Sequence, residues 1–417
     1  MSGSALRTRC VIAGGGPAGM VCGYLLARAG IDVIVLEKHA DFLRDFRGDT
    51  VHPSTLEVFY ELGLLDEFLA LPHQEVQHLH LDIGGKQITA GDFTHVPTHC
   101  KFIALMPQWD LLNFLAEKAK AFPNFRLLMQ TKAAALIEEG GEVVGLRAQA
   151  PEGEIEIRAN LVIGADGRHS TIREQGGFVP QEFGSPIDVI WFRLPRKASD
   201  PNEVMGRFAA GRFLVMLNRG EYWQCAFVVP KGGFERIRRD GIDAFRARLA
   251  SIAGFAAERV DTIKHFDDVS LLTVTVNRLK QWAKPGLLCI GDAAHAMSPV
   301  GGVGINLAVQ DAVATANLLW KALTRGRPTL EKLERVQARR EFPARLTQEA
   351  QVLIQNRIVA PALAVKGELK PPLAVKLLDW FPVLRRIPAR LVGIGVRSEH
   401  VSKELLGWNG NGQPRIS

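Results

Sequence analysis

The hydrophobic pattern of the first forty residues predicts a strand, a tight turn, a helix and a second strand. Residues 10–13 form a short apolar run, residues 20–29 have the composition of a helix, and residues 31–36 are apolar and rich in β-branched side chains. Apolar runs without polar alternation are typical of parallel strands buried on both faces. Residues 161–164 and 287–290 have the same character, and a long helix is predicted to follow at about residues 304–323. The pattern therefore predicts one parallel sheet built from distant parts of the chain.

The middle of the chain has a different pattern, which predicts antiparallel strands. Residues 213–218 and 222–229 are strand-like and are separated by Arg219, Gly220 and Glu221, so a β-hairpin is expected there. Residues 186–194 and 269–276 are further candidate strands. We therefore predict two domains and a tail. The first domain takes residues 1–75, 100–180 and 276–350, the second takes residues 76–99 and 181–275, and a helical C-terminal segment takes residues 351–417.

The C-terminal segment has helical composition, but five prolines are expected to divide it into short helices. These are Pro361, Pro371, Pro372, Pro382 and Pro388. Seven basic side chains between residues 366 and 397 are interleaved with apolar ones. Such a segment suits either the surface of an anionic membrane or a cover packed on the first domain with its charges in water. Because the prolines interrupt any continuous amphipathic helix, we predict the second arrangement and at most weak, salt-sensitive membrane contact.

The amino-acid composition and net charge favour a globular protein and exclude several other classes. The 417 residues are 47% hydrophobic and 23% charged, an ordinary balance for a globular protein of two or three domains. The net charge of +7 suits ligands that carry phosphates, and no basic run is interleaved with aromatic residues, so nucleic acid is not an expected partner. No secretory signal is convincing, and no stretch reaches the roughly 18 apolar residues of a membrane span.

Cysteine and histidine usage does not indicate a metal site. The five cysteines are an odd number without a C-x-x-C pair, and Cys10, Cys225 and Cys289 fall in apolar runs. They are therefore predicted to be reduced core residues of a cytoplasmic protein. His78 and His80 have the spacing of one strand face, and no metal ligand set follows from the histidines. A monomer or a homodimer is expected.

A glycine-rich turn between the first strand and the first helix predicts a dinucleotide site. Its residues fit the pattern G-x-G-x-x-G and are Gly14, Gly15, Gly16, Pro17, Ala18 and Gly19. The first glycine allows the tight turn, the second lets the backbone approach a pyrophosphate, and the third lets the helix pack on the strand. The helix N-terminus attracts the phosphates. Glu37, followed by Lys38, ends the next strand and can accept hydrogen bonds from ribose hydroxyls. The alternative is a glycine-rich turn without a ligand.

Two later motifs favour FAD as the dinucleotide. The chain has one such glycine pattern, whereas separate sites for FAD and NAD(P)H would show two. The second motif, residues 164–170, contains Asp166. The third motif consists of Gly291, Asp292, Pro299, Gly302, Val303, Gly304, Ile305 and Asn306. Asp292 can hold a polyol hydroxyl or, alternatively, cap a helix. The glycines let the backbone lie against a flat ring. The helix that begins near Gly304 would point its positive N-terminal end at the edge of that ring.

With these three motifs in this order, residues 9–350 resemble the single-component FAD-dependent aromatic hydroxylases, the family of para-hydroxybenzoate hydroxylase and the ubiquinone-biosynthesis hydroxylases. The resemblance implies an α/β fold, in which a Rossmann-like FAD-binding domain carries an inserted antiparallel β-sheet domain for the substrate and a helical C-terminal tail. It also implies roles for single residues. Glu37 binds the ribose, Arg47 lies near the pyrophosphate, Gln108 contacts the cofactor, Asp166 links FAD to NAD(P)H, Asp292 holds the ribityl chain or pyrophosphate, and residues 299–306 lie against the isoalloxazine ring.

The resemblance also implies the reaction. In this family NAD(P)H reduces the flavin, dioxygen forms a C4a-hydroperoxide, and one oxygen atom passes to an aromatic or other hydrophobic substrate under an apolar cover. Tyr222, in the hairpin, is the one tyrosine placed to meet substrate, but packing in the sheet is the simpler interpretation, and we assign no catalytic base.

The alternative functions are a flavin-dependent reductase or dehydrogenase of the same fold, which needs no dioxygen, and a non-catalytic FAD-binding protein. A halogenase is disfavoured because the pattern W-x-W-x-I-P is missing.

Overall fold

The structure is a computed structural model that describes residues 5–43, 50–201, 205–365, 367 and 369–407. Its strands are β1 Ala5–Ala13, β2 Val33–Leu36, β3 Thr50–Val51, β4 Gln74–Val76, β5 His78–Ile83, β6 Lys86–Asp92, β7 Ile103–Leu105, β8 Phe125–Leu128, β9 Lys132–Glu139, β10 Glu142–Ala150, β11 Gly153–Gly164, β12 Pro180–Glu182, β13 Ile187–Pro195, β14 Met205–Ala209, β15 Arg212–Asn218, β16 Tyr222–Pro230, β17 Ser270–Leu272, β18 Asn277–Leu279, β19 Ala283–Lys284, β20 Leu287–Cys289 and β21 His295–Ala296.

Its α-helices are α1 Pro17–Arg28, α2 Pro53–Glu61, α3 Leu65–Leu69, α4 Gln108–Ala119, α5 Thr171–Gln175, α6 Phe234–Asp240, α7 Ile242–Ala253, α8 Gly304–Arg325, α9 Leu330–Ile354, α10 Ala360–Ala364, α11 Leu373–Trp380, α12 Arg386–Gly393 and α13 Lys403–Leu406. Short 3-10 helices lie at Phe93–His95, Gly254–Thr262, Phe266–Asp268, Gly291–Ala293, Val300–Gly302 and Pro382–Arg385, and a π-helical turn lies at Gln355–Val359.

The predicted parallel sheet is formed by five strands from distant parts of the chain. They lie in the order β20, β11, β1, β2 and β8, with β19 antiparallel at one edge. Cys10 pairs with both Leu161 and Val33, so β1 is central. Both faces of β1 are covered, because Cys10 and Ile12 pack with α1 and α8, whereas Val11 packs with the hairpin of β9 and β10. The prediction of a parallel sheet buried on both faces is confirmed for β1.

The region predicted to be antiparallel forms a seven-stranded sheet in the order β17, β13, β16, β15, β14, β5 and β6. Its neighbouring strands are antiparallel except for β14 and β5, which pair in parallel because they come from distant parts of the chain. The predicted hairpin is present as β15 and β16, in which Val215 faces Ala226. Alternate side chains such as Met216 and Phe227 pack against α7 in an apolar core. The intervening side chains, such as Val215, form the wall of the cavity described below. The boundaries between the domains stay a prediction.

The start of the C-terminal region differs from the predicted series of short helices. α9 continues through the π-helical turn into α10, so Pro361 does not end the helix. Pro361 lies in the first turn of α10, directly after the wider π turn, where a missing N–H group is tolerated. Pro371, Pro372 and Pro382 do divide the chain, because α11 begins after Pro372 and Pro382 lies between α11 and α12. Pro388 does not, because it lies in the first turn of α12, where a missing N–H group is tolerated.

The predicted packing of this tail on the first domain is only partly right. α11 and α12 lie against β6, an edge strand of the seven-stranded sheet. Several large apolar side chains remain more than half exposed, namely Leu373, Trp380, Phe381, Val383, Ile387 and Leu391. Two eight-residue helices separated by a proline cannot turn one continuous apolar face inward, so their outer turns stay in contact with water. Within the described ranges, no helix combines the length and apolar character needed to cross a membrane.

The cysteines are buried and unpaired, as the sequence predicted. Burial raises the pKa of Cys22 to about 12 and also raises that of Cys10. These side chains therefore remain neutral thiols at physiological pH and act as small apolar core residues.

Candidate active site

A cavity of about 1240 Å³ joins the ends of the parallel strands to the open face of the seven-stranded sheet. β1, β2 and β11 end at this cavity, and the carboxyl ends of parallel strands are the usual place for ligands in α/β folds. The predicted cofactor residues that line it are Gly14, Gly16, Pro17, Ala18, Glu37, Lys38, Gln108, Asp166, Asp292, Pro299, Gly302, Gly304 and Ile305. The structure thus brings all three sequence motifs to one place.

The glycine turn leaves room for a ligand at one position and for none at the others. A Cβ atom on Gly19 would lie 1.9 Å from the Gly14 carbonyl oxygen, and one on Gly14 would lie 2.3 Å from the Ala165 oxygen. Gly14 also has a φ of +108°, in the region that glycine favours. In contrast, a Cβ atom on Gly16 would meet no protein atom within 4 Å among the described residues, although Gly16 lines the cavity. The space beside Gly16 therefore fits a group that approaches the backbone closely.

Glu37 stabilises this turn from the end of β2. Its carboxylate accepts hydrogen bonds from the backbone N–H groups of Gly15, at 3.2 Å, and His39, at 3.0 Å. The side chain is 6% exposed and lines the cavity. A carboxylate has about four acceptor positions, so Glu37 can hold the turn and also accept hydrogen bonds from hydroxyl groups of a ligand.

Asp166, Arg168 and Asp292 follow the ends of β11 and β20. Burial raises the pKa of Asp166, whose carboxylate accepts hydrogen bonds from the Ser170 hydroxyl and, at 3.1 Å, from the Ile172 N–H group. Arg168 Nη2 donates to Asp292 Oδ2 at 3.3 Å, and both residues line the cavity. Arg168 Nη1 is buried and has no acceptor in the described part of the chain. Arg168 therefore has an N–H group that can donate to a ligand, and the Asp292 carboxylate beside it is 29% exposed and can accept. Together they fit a ligand in which a phosphate lies next to a polyol.

A buried ion network, which sequence analysis did not identify, supports the Gly291–Asp292 loop. Asp311 on α8 accepts hydrogen bonds from the Gly291 N–H group at 3.0 Å, from His295 Nε2 at 2.5 Å and from Arg340 Nε at 3.0 Å. Arg340 Nη1 also donates to Glu399 at 3.2 Å. Burial opposes ionisation of Asp311, but His295 and Arg340 together lower its pKa. The sequence feature that could have indicated the network is Asp311, the one charged residue in the first half of α8.

Several predicted cofactor residues lie behind the cavity wall. They are Gly15, Gly19, Gly291, Val303 and Asn306. Asn306 Oδ1 accepts hydrogen bonds from the hydroxyl groups of Ser54, at 2.6 Å, and Thr55, at 2.8 Å, and so joins the start of α8 to α2. Arg47 lies outside the described residues.

Tyr222 is not part of the cavity wall. It is the first residue of β16, whereas the wall residues of that strand are Gln224, Ala226 and Val228. The Arg193 guanidinium lies over the Tyr222 ring, 4.7 Å from its centre. This placement favours the packing interpretation of Tyr222.

The second half of the cavity lies between the sheet and the C-terminal helices and is mainly apolar, with His80, Gln224, Arg357 and Lys370 as polar members of its wall. The sheet contributes Ile187, Val189, Trp191, Phe213, Val215, Leu217, Ala226 and Val228, and the C-terminal region contributes Ile354, Ile358, Val359, Pro361, Ala362, Val365, Leu369, Val375, Leu378 and Val392. None of these residues was predicted from the sequence to line a binding site. The available signal was that β13, β15 and β16 carry apolar side chains at successive positions, which indicates a sheet covered on both faces.

His52 lies behind the cavity wall, between the glycine-rich loop and the C-terminal cover. Its Nδ1–H donates to the Val392 carbonyl at 2.8 Å, and the neighbouring Thr50 hydroxyl donates to the Gly302 carbonyl at 3.1 Å. Burial lowers the pKa of His52 to about 4, so the side chain is neutral at physiological pH. These contacts join the glycine-rich loop to the C-terminal cover.

Comparison with known proteins agrees with this geometry. A family model described as FAD binding domain matches residues 7–350. The chain is 32% identical to 6-methylpretetramide 4-monooxygenase of Streptomyces rimosus over 399 residues, which cover 95% of this chain and 94% of that protein.

Solved structures share the fold. OxyS anhydrotetracycline hydroxylase from Streptomyces rimosus aligns with a TM-score of 0.73 at 23% identity over 96% of this chain and 78% of that one. P. aeruginosa PqsL in complex with 2-aminobenzoylacetate aligns with a TM-score of 0.72 at 21% identity over 86% of this chain and 97% of that one. The predicted α/β fold with a Rossmann-like domain is confirmed. The chain therefore belongs to the FAD binding domain family, and it is an FAD-dependent monooxygenase with NAD(P)H as its reductant.

Proposed function

We propose that this monooxygenase hydroxylates a planar aromatic substrate of several fused rings, held in the apolar half of the cavity. The observation that carries the proposal is the continuity of the cavity, which joins the three motifs to an apolar space between the sheet and the C-terminal helices. Its volume of about 1240 Å³ exceeds the roughly 300–1,000 Å³ of most small-molecule pockets. This volume suits the whole FAD molecule together with a substrate larger than a single ring.

The names of two similar proteins support the same substrate class. One is a 6-methylpretetramide 4-monooxygenase and the other an anhydrotetracycline hydroxylase. An aromatic polyketide is therefore the first class of substrate to test. Such a substrate buries mainly apolar surface, in keeping with the walls of this half of the cavity.

The cofactor residues are assigned on the same basis. Gly14, Gly16 and the start of α1 would hold the pyrophosphate, Glu37 the ribose, and Arg168 a phosphate oxygen. Asp292 would hold the ribityl chain, and residues 299–305 would lie along the flavin ring, with Gln108 nearby. Lys38 lies at the exposed edge of the site, and Asp166, which lines the cavity, fixes the turn that carries Arg168. Bound FAD would transfer electrons from NAD(P)H to dioxygen.

The protein contributes exclusion of water and electrostatic stabilisation. The apolar sheet face and the C-terminal helices separate the reacting groups from solvent, which limits unproductive side reactions with water. The N-terminus of α8, at Gly304, borders the cavity and offers partial positive charge to the edge of a flavin ring. No side chain is assigned as a catalytic base.

The proposed reaction has three partners, namely the organic substrate, dioxygen and NAD(P)H. A monomer or a homodimer is proposed, and the exposed apolar residues of α11 and α12 make no more than weak contact with a membrane surface.

The test is oxygen incorporation by the purified flavoprotein. With NAD(P)H, labelled dioxygen (¹⁸O₂) and fused-ring aromatic polyketides, we expect a product that contains one ¹⁸O atom, together with substrate-stimulated NAD(P)H oxidation. Single-ring phenols serve as the matched comparison and should have a kcat/KM at least about 10-fold lower, because they bury less apolar surface. Label from water, or turnover without dioxygen, would instead support a reductase. Equal kcat/KM for single-ring phenols would contradict the proposed substrate size.

A further inference from the structure

We propose that Trp191 and Gln224 form a pair of hydrogen-bond donors that binds an oxygen atom attached to the aromatic skeleton of the substrate. The inference deepens the proposed function and rests on it, because the pair lies in the half of the cavity assigned to the substrate. The groups that fit are ketone, enol and phenol oxygens acting as acceptors.

The amide of Gln224 has a defined orientation. Its Oε1 accepts a hydrogen bond from Arg219 Nε at 2.9 Å. A guanidinium nitrogen can only donate, so the amide oxygen and nitrogen cannot be exchanged. Gln224 is 2% exposed, and its Nε2 has no acceptor among the residues that the structure describes. Because buried N–H groups are nearly always paired, an acceptor supplied by a ligand is the natural partner of Nε2.

Trp191 provides a second donor beside the first. Its Nε1 is buried and also lacks an acceptor within the described ranges. Trp191 pairs with Ala226, and Gln224 pairs with Arg193, so Trp191 and Gln224 are diagonal neighbours on the same face of the sheet. Both residues line the cavity. The two N–H groups therefore serve the same edge of a planar ligand.

The surroundings of the pair increase its selectivity. The neighbouring wall residues Val189, Val215 and Leu217 are apolar. In such surroundings a ligand that lacks an acceptor would leave both donors unpaired, and sites of this kind reject such ligands strongly. A substrate held by the pair has one edge fixed against the sheet. Trp191 and Gln224 thereby determine which carbon atom is presented for oxygenation.

The first test uses the wild-type flavoprotein without NAD(P)H. Anthraquinone carries two oxygen acceptors, and 9,10-dihydroanthracene has the same three-ring skeleton without them. Isothermal titration calorimetry should give an affinity for anthraquinone at least about 10-fold higher. Equal affinities would overturn the inference, and they would leave the result of the ¹⁸O₂ experiment unaffected.

The second test uses variants that remove one donor at a time. Trp191→Phe keeps an aromatic ring but has no N–H group, so anthraquinone affinity should fall about 10-fold while that for 9,10-dihydroanthracene stays the same. Gln224→Glu keeps an oxygen for Arg219 and replaces the amide nitrogen with an acceptor, so its loss of anthraquinone affinity should be larger.

Leu217→Met is the matched control, because it alters the same wall without changing a donor. It should shift the affinities for both ligands by the same factor. Flavin content and melting temperature identify any variant that is not folded. Equal losses for the two ligands in Trp191→Phe would assign Trp191 a packing role and overturn the inference.

Discussion

The two halves of the cavity have different kinds of wall. In the half proposed for the nucleotide, the wall is mainly backbone at glycine turns and at the starts of α1 and α8, together with a few charged side chains. In the substrate half, backbone groups are paired within the sheet, and alternate side chains of β13, β15 and β16 form the surface. The nucleotide half therefore depends on where backbone can come close to a ligand, and the substrate half depends on which side chains are present. Substrate preference can change in this fold while cofactor binding is retained.

The largest expected effect is on the ion network behind the nucleotide half. Arg340→Leu removes the buried cation from Asp311 Oδ1 and leaves Glu399 with Arg339 as its cation. Loss of the buried pair with Asp311 should lower the free energy of unfolding by about 3–5 kcal/mol. Urea unfolding measures this. Arg345→Leu, on the same helix, removes an exposed ion pair with Glu349 and should lower it by less than about 1 kcal/mol. Similar losses in the two variants would show that the network does not stabilise the loop.

Gly16→Ala tests whether the nucleotide half depends on close approach of backbone. Its Cβ atom would enter the cavity without touching described protein atoms, so FAD affinity should fall about 100-fold or more while the apoprotein keeps its melting temperature. Gly19→Ala should also lower the melting temperature of the apoprotein, because its Cβ atom would lie 1.9 Å from the Gly14 carbonyl oxygen. Unchanged FAD affinity in Gly16→Ala would remove this turn from the proposed site.

Asp292→Ala tests a side-chain contribution within the same half. Loss of a charged hydrogen-bond acceptor should weaken FAD binding about 10- to 100-fold. Asp292→Asn keeps one acceptor oxygen and should lie between the wild type and Asp292→Ala. Fluorescence titration of the apoprotein with FAD measures the three affinities. If the three affinities were equal, Asp292 would not bind FAD, and its role would be limited to the hydrogen bond with Arg168.

A smaller effect is expected between the glycine-rich loop and the C-terminal cover, where His52 should make stability depend on pH. Its folded pKa is lowered from 6.5 to about 4, so the unfolded chain takes up a proton first as the pH falls. The contribution to stability is complete above pH 6.5 and is lost between pH 6.5 and 4, by about 2 kcal/mol from pH 7 to pH 5. His52→Gln should reduce this loss when unfolding free energies are compared at the two pH values. The same pH dependence in both proteins would exclude His52 as its source.

The smallest expected effect is on the outer surface of the cover. Trp380 and Ile387 are about 60% exposed, but the proline between their helices breaks the apolar surface into two short parts. Sedimentation with anionic liposomes should therefore show weak binding that disappears at high salt. Strong binding that persists at high salt would make the cover a membrane-docking surface.

Sequence alone predicted the features that depend on local backbone. Gly14, Gly16 and Glu37 could be placed because a strand, a turn and a helix fix their relation within thirty residues. The ion network could not be predicted, since Asp311, Arg340 and Glu399 meet only through the packing of α8, α9 and the C-terminal segment. The unbroken helix at Pro361 depends on a π-helical turn, which has no clear sequence signal. Trp191 and Gln224 looked like ordinary strand residues, because their unpaired N–H groups become evident only in three dimensions.

The contact between Arg340 and Glu399 has a consequence for the order of events during synthesis. Glu399 lies 59 residues after Arg340, and Arg340 holds the aspartate that supports the Gly291–Asp292 loop. On a translating ribosome this loop lacks its full support until the chain has grown beyond residue 399 and that segment has left the exit tunnel. Stable loading of FAD therefore follows synthesis of the C-terminal segment, although the glycine turn that meets the pyrophosphate is among the first parts of the chain to be made.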